Sequence, residues 1–368
     1  MAVRGRMIRR QAAVAATVAA TTFGLAPGAS AAPGSAVRLL GEQIVPHALD
    51  FQGTVVGGLS GIDYRPNTGE YVVISDDRSE RGPARFYTAR IGVDEGGVHP
   101  VTFTATHPLR TADGAEYPPT TVDPEEIRVD PLSGDYFWTQ EGSGAVYPDP
   151  SVRIARPDGT FAGELPIPNN ERVLPDSGPR PNAVLEGASF AAGGSLFVTA
   201  VEGPLHQDGP EASVASGALS RITVQARFGP VLAQYAYPME PVFAESSPEP
   251  GRGGNGIASI LAVDPLDPGK FLVLERAYVD GVGNKIRLFE ADLAGATNIL
   301  DTPIDDAVPV AKRLLVDLAD IGLSAIDNVE GMTWGPRLPS GERTLVLVSD
   351  NNFTEQQVSQ VIALAVPD

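Results

Sequence analysis

The run Gly58-Leu-Ser-Gly-Ile-Asp-Tyr64, Pro66-Asn-Thr-Gly69, Tyr71-Val-Val-Ile-Ser-Asp-Asp77 decides how the rest of the chain is read. Two short runs rich in β-branched and aromatic residues flank a Pro/Asn/Gly turn, which is the local chemistry of a β-hairpin. The same order returns four more times. It reads Glu125-Glu-Ile-Arg-Val-Asp130, Pro131-Leu-Ser-Gly134, Tyr136-Phe-Trp-Thr-Gln-Glu141, then Leu185-Glu-Gly-Ala-Ser-Phe190, Gly193-Gly194, Ser195-Leu-Phe-Val-Thr-Ala-Val-Glu202. The fourth copy is Gly256-Ile-Ala-Ser-Ile-Leu-Ala-Val263, Pro265-Leu-Asp-Pro-Gly269, Lys270-Phe-Leu-Val-Leu-Glu275. The fifth is Val329-Glu-Gly-Met-Thr-Trp334, Pro339-Ser-Gly341, Thr344-Leu-Val-Leu-Val-Ser-Asp350.

Two further apolar runs usually follow each hairpin, such as Arg85-Phe-Tyr-Thr-Ala-Arg-Ile91 with Val101-Thr-Phe-Thr-Ala105, or Ser220-Arg-Ile-Thr-Val224 with Val231-Leu-Ala-Gln-Tyr-Ala-Tyr237. Four strands repeated at a period of roughly 65 to 70 residues predict an all-β chain of propeller blades. The length holds five such periods, with six blades as the alternative, and a solenoid fits less well because its ends need caps. The fifth copy offers one clear strand after its hairpin, Val358 to Val366, while the chain opens on an orphan strand, Ala36 to Val45. Pairing these two would complete the fifth blade and close the ring.

Before the repeats, Arg4, Arg6, Arg9 and Arg10 precede an uncharged Ala-rich run and the pattern Ala29-Ser30-Ala31. This is the layout of a signal peptide, cut near Ala31, and it predicts a secreted protein, by either the general or the twin-arginine route. Residues 32–368 then form one domain, since no linker interrupts them and the Pro-rich stretch from Pro238 to Pro250 is short enough for a loop. No later run is long and apolar enough to span a bilayer. The absence of Cys excludes disulfides, thiolate metal sites and thiol nucleophiles. With 27 basic and 46 acidic residues the net charge is −19, falling to −23 once the four leader arginines are removed. Such a surface repels phosphate backbones, so no nucleic-acid partner is expected.

The repeat places acids where a propeller's inner strands meet one mouth of its channel. Glu125, Glu126, Glu186 and Glu330 stand at strand starts, and Asp76, Asp77, Glu141, Glu202, Glu275 and Asp350 at the ends of the partner strands. Converging carboxylates repel one another unless they hold protons or a cation. Hard oxygen donors suit calcium or magnesium, and the predicted ligands are Asp76, Asp77, Glu126, Glu141, Glu202, Glu275, Asp350 and Asn351, with calcium the expected ion. Any one of these acids could equally serve as a turn residue. Other chemistries find little support: no G-x-S-x-G elbow occurs, His47, His99, His107 and His206 lack metal spacing, and Gly251-Arg-Gly-Gly-Asn-Gly256 leads into a strand rather than a helix.

Gly58-Leu-Ser-Gly-Ile-Asp63 with Ser75-Asp-Asp-Arg78, Asp123-Pro-Glu-Glu-Ile127, Glu186-Gly187, Leu274-Glu-Arg276, and Asn328-Val-Glu-Gly-Met332 with Ser349-Asp-Asn-Asn352 resemble the secreted bacterial family called esterase-like activity of phytase. The resemblance runs from about Val55 to the C-terminus. It implies a β-propeller and a hydrolase of ester or phosphoester bonds; joined to the acidic mouth, this leads to the expectation of a secreted, divalent-metal-dependent hydrolase, monomeric and acting on a small molecule. On this reading Glu330 or Glu186 takes the proton in catalysis, and Arg78 and Arg276 bind substrate. The alternative, from another class, is a non-catalytic extracellular propeller that binds or scaffolds.

Overall fold

The computed structural model describes residues 37–142 and 149–367; the expected signal peptide lies outside them. Five four-stranded antiparallel sheets follow one another around a ring. The first four blades are each built from consecutive chain: Leu59–Arg65, Glu70–Ser75, Arg85–Arg90 and Thr102–Pro108 in blade 1, and Pro124–Val129, Tyr136–Gln140, Ser151–Ala155 and Phe161–Leu165 in blade 2. Leu185–Ala191, Leu196–Val201, Leu219–Ala226 and Val231–Pro238 form blade 3, and Gly253–Ala262, Lys270–Val279, Gly283–Asp292 and Ala311–Asp317 form blade 4.

Blade 5 takes Asn328–Trp334, Arg343–Asp350 and Ser359–Val366 from the end of the chain and its outermost strand, Arg38–Val45, from the beginning. The two terminal strands run antiparallel from Arg38 opposite Ala365 to Val45 opposite Ser359. The expected ring closure is therefore what the structure shows, with five blades rather than six. A short hairpin of Asp50–Phe51 with Thr54–Val55 carries the chain from this strand into blade 1.

Alternation along each strand explains the cohesion of the ring. Tyr71 and Val73 pack with Val346, Val348 and Ala363 of blade 5, while Val72 and Ile74, pointing the other way, pack with Ile127, Tyr136 and Trp138 of blade 2. Further seams join blades 2 and 3 around Phe137, Phe197 and Val152, blades 3 and 4 around Ile222, Ile260 and Phe271, and blades 4 and 5 around Leu274, Leu288, Leu345 and Leu364. A strand buried on both faces must be apolar at successive positions, which is why the middle strands read as runs such as Leu345-Val-Leu-Val348. Each seam covers one face of two blades, so every blade depends on its neighbours.

Candidate functional site

The innermost strands share one irregularity. Their pairing with the second strand slips between Leu59 and Gly61, Pro124 and Ile127, Leu185 and Gly187, Ile257 and Ser259, and Val329 and Gly331. A β-bulge inserts an unpaired residue and re-aims its side chain. In common register the inserted residues are Ser60, Glu125, Glu186, Ala258 and Glu330. The three glutamates among them line a funnel of about 1030 Å³. One residue beyond the second-strand partner of each bulge stand Asp76, Glu141, Glu202, Arg276 and Asp350, and all five line the same funnel. Asp123 and Asn328, at the entry to their inner strands, complete the inner wall.

Eight carboxylates on or next to the paired strands thus converge, Asp76, Asp123, Glu125, Glu141, Glu186, Glu202, Glu330 and Asp350, and Glu211 and Asp327 line the funnel as well. Two arginines answer them directly. Arg276 lies 2.9 Å from Glu202 and 3.6 Å from Glu330, and Arg78 lies 3.4 Å from Asp123. Asn328 donates to Glu330 at 2.9 Å and to Asp350 at 3.2 Å. Gly58 has φ +62°, and a Cβ there would come within 1.9 Å of Asp76 Oδ1, so only glycine leaves room for that carboxylate.

Two guanidinium groups do not offset so many acids, and burial together with mutual repulsion raises the carboxyl groups above their ordinary range. Burial, reinforced by Asp350 and Glu330, pushes Asp76 well above the usual carboxylate range. Burial does the same to Glu125, with Glu186 and Asp123 adding to it, and to Glu186, with Glu202 and Glu141 adding. Burial also pushes Glu141 and Glu330 up to about 8, and Asp123 and Asp350 up to about 6. Burial disfavours the charge on Arg276, but Glu330, Glu202 and Glu186 outweigh it and hold the guanidinium above its ordinary value. Each raised carboxyl is a proton that a cation could displace.

The donor set fits a hard divalent cation. Asp123, Glu125 and Glu141 each offer an oxygen within 4.8 Å of the others, and so do Glu141, Glu186 and Glu202. Asp76 Oδ1 is buried with no hydrogen-bond partner among the described residues.

Several expected ligands are held elsewhere. Asp77 accepts from the amides of Glu80 and Arg81 and pairs with buried Arg85 at 2.7 Å, which fixes the loop after its strand. Asn351 Oδ1 accepts from the amides of Gly58 and Phe353, each at 3.1 Å, and Asn352 lines the funnel instead. Glu275 pairs with Ile257, one step before the position that opens into the funnel, and its carboxylate is taken by Tyr237, Asn255 and Lys312. Arg276 occupies the ring position in blade 4. Glu126 sits one step deeper than Glu125, on the channel axis, 2.7 Å from both Arg128 and Ser259 Oγ. Of the predicted ligands the structure brings together Asp76, Glu141, Glu202 and Asp350, with Glu186, Glu330, Arg78 and Arg276 beside them. The expected ligand set lacked Asp123 and Glu125; the Asp123-Pro-Glu-Glu motif was their signal, but the bulge decides which glutamate reaches the mouth.

Deeper in the channel, Arg128 closes the axis. Its guanidinium donates to the carbonyls of Ile62, Ala188, Ile260 and Met332, at 2.6 to 3.2 Å, so that one blade-2 side chain bonds all four other blades. Gly61 leaves the space for this pair, since a Cβ there would lie 2.7 Å from Glu126 Oε1, while Gly187 and Gly331, level with Glu126, allow close approach to the backbone of the neighbouring inner strands at Ser259 and Ser60.

Residues 54–353 match the model of the phytase-like family, described as "Esterase-like activity of phytase". Comparison with curated proteins finds no match. Among solved structures the chain is similar to an exo-β-1,3-galactanase from Phanerochaete chrysosporium in complex with β-1,3-galactotriose, at TM-score 0.43 and 11% identity, covering 88% of this chain and 64% of that one. It is also similar to the NanB sialidase from Streptococcus pneumoniae, at TM-score 0.35 and 12% identity over 80% of this chain and 39% of that one.

Proposed function

The chain belongs to the phytase-like family, and from its funnel we propose a secreted, divalent-metal-dependent hydrolase of ester or phosphoester bonds. One observation carries the reading: ten carboxylates line one cavity, and the three arginines among them, Arg78, Arg252 and Arg276, cannot neutralise them. Structural acids are normally paired, and Asp77, Glu126 and Glu275 of this chain show what pairing looks like. In the funnel, the carboxylates of Asp76, Glu125 and Glu186 have no such partner among the described residues.

Asp123, Glu125, Glu141, Glu186 and Glu202 would hold the cation, with calcium the first to test. When bound, a divalent cation supplies Lewis acidity, polarising the ester or phosphoryl oxygen and acidifying water. Glu330 is the better placed of the two expected proton acceptors, because Asn328 and Arg276 fix its carboxylate while Glu186 has no such support. Arg276 and Arg78 line the same cavity and offer guanidinium donors to an anionic or carbonyl oxygen, Arg276 from between Glu202 and Glu330 and Arg78 from beside Asp123. The substrate is a small molecule, and the protein acts as a monomer.

A panel of p-nitrophenyl esters and phosphates, assayed with calcium and with chelator, tests the reading. Hydrolysis should require the cation and be lost in Glu330→Gln. A folded, calcium-loaded protein that turns over no member of the panel favours the binding-module alternative. Export is checked separately: protein recovered from the medium should begin at or near Ala32, and an intact N-terminus overturns secretion by signal cleavage.

A further inference from the structure

We propose that the funnel holds two divalent cations rather than one, bridged by the carboxylate of Glu141. The inference rests on the preceding reading only for the class of ligand. Glu141 is the one residue common to both oxygen trios, Asp123–Glu125–Glu141 within blade 2 and Glu141–Glu186–Glu202 across the seam to blade 3. It is 4% exposed, and its Oε1 accepts from the Val184 amide at 2.8 Å, which pins the carboxylate at the junction of the two groups.

A second observation points to a ligand in each trio. Glu125 is 8% exposed and Glu186 is 6% exposed; both line the cavity, and neither carboxylate has a hydrogen bond or ion pair among the described residues. One unpartnered buried carboxylate therefore belongs to each trio, aimed into the same space. Charge favours the pair as well. Ten carboxylates against Arg78, Arg252 and Arg276 leave seven negative charges when all are ionised, of which one divalent cation offsets two. The oxygen-only donor set suits calcium and manganese alike, so a spectroscopically visible ion can report on the site.

The experiment counts ions and asks whether they touch. Calorimetric titration of the metal-free full chain with calcium chloride should give two ions per chain. Loaded with manganese alone, the protein should give the exchange-coupled spectrum of a carboxylate-bridged pair in electron paramagnetic resonance, not the six-line signal of isolated ions. Asp123→Asn and Glu202→Gln should each lose one ion and restore the six-line signal, while Glu141→Gln should weaken both ions at least tenfold. If Glu141→Gln does not fold, the two outer variants decide the matter. One ion per chain, two ions with no magnetic coupling, or outer variants that remove the same ion would each overturn the proposal. No readout needs turnover. A coupled pair without hydrolysis refutes the hydrolase reading alone, and hydrolysis with a single ion refutes the bridge alone.

Discussion

Two levels of one axis present the same problem. Midway along the channel Glu126 is buried among the five inner strands, and at the mouth eight further carboxylates are gathered over the same strands. Midway, the chain supplies its own cation: Arg128 pairs with Glu126 and spends its remaining donors on carbonyls of the other blades. At the mouth the corresponding cation, Arg276, is shared between Glu202 and Glu330 and leaves most of the acids unanswered. The two arginines also differ in what surrounds them, one enclosed by backbone and the other facing a cavity. The difference teaches where the molecule is finished and where it waits for something. A closed charge pair is architecture; an open excess of charge is a place for a ligand.

The largest test of this contrast is at the closed level. Removing one partner of a buried ion pair leaves an uncompensated charge and costs about 3–5 kcal/mol. Arg128→Met should lower stability by that much in urea denaturation, because Glu126 keeps its burial and loses its counter-ion. Arg276→Met should cost less in metal-free protein, since Glu202 and Glu330 line an open cavity that water can enter, whereas Glu126 is enclosed. Equal losses in the two variants would erase the distinction between the levels.

Next in size is the response to calcium. A cation that binds only the folded state stabilises it by about 2.7 kcal/mol at a hundred times its dissociation constant. Melting temperature should therefore rise with calcium and return with chelator, and Glu330→Gln should blunt the rise. In Arg128→Met the increment should persist, because the plug lies below the funnel. A wild-type melting curve indifferent to both calcium and chelator would leave the mouth as closed as the axis.

A smaller effect separates protons from metal. In the metal-free fold, Asp123 and Asp350 titrate at about 6 and Glu141 and Glu330 at about 8, all above the usual 4 to 4.5 of an unfolded chain. The folded state then binds more protons than the unfolded one. Their contribution is complete below about pH 4 and is lost as the pH rises through 6 and then 8. Calcium displaces those protons, so its increment in melting temperature should be larger at pH 8 than at pH 5. An increment that does not grow with pH would argue against ligation by these carboxyls.

How far the sequence carries the argument depends on which physical rule is involved. The blades follow from hairpin chemistry repeated at a fixed period, and the closing strand from an unpaired run at each end; both are local patterns with one consistent solution. The site is finer. Within Glu125-Glu126 and Glu275-Arg276, adjacent residues point in opposite directions, so a one-residue bulge decides whether an acid faces the mouth or a partner. The periodicity locates such a dipeptide but does not choose its member. Asp77 and Asn351 lie just past strand ends, where the turn each residue caps sets its direction, and that turn is visible only once Arg85 and Gly58 are in place. Arg128 has no counterpart in the other copies, so nothing in the repeat announces it as the bolt of the ring.

The smallest expected effect is the one that keeps the others interpretable. Glu342 is also an acid of blade 5, but it lies on the turn between that blade's first two strands, bonded to Arg38 of the closing strand at 2.7 Å and to Ser340 at 3.0 Å. Its partner is solvent-exposed, and such pairs contribute little to stability. Glu342→Gln removes a carboxyl group from the same blade as Glu330→Gln, without touching the funnel. It should leave the melting temperature, the calcium increment and the pH dependence of that increment where they stand in the wild type. If Glu342→Gln instead blunts the calcium response as Glu330→Gln does, the ion is answering the net charge of −19 rather than the mouth. The contrast between a closed axis and an open funnel would then lose its functional meaning.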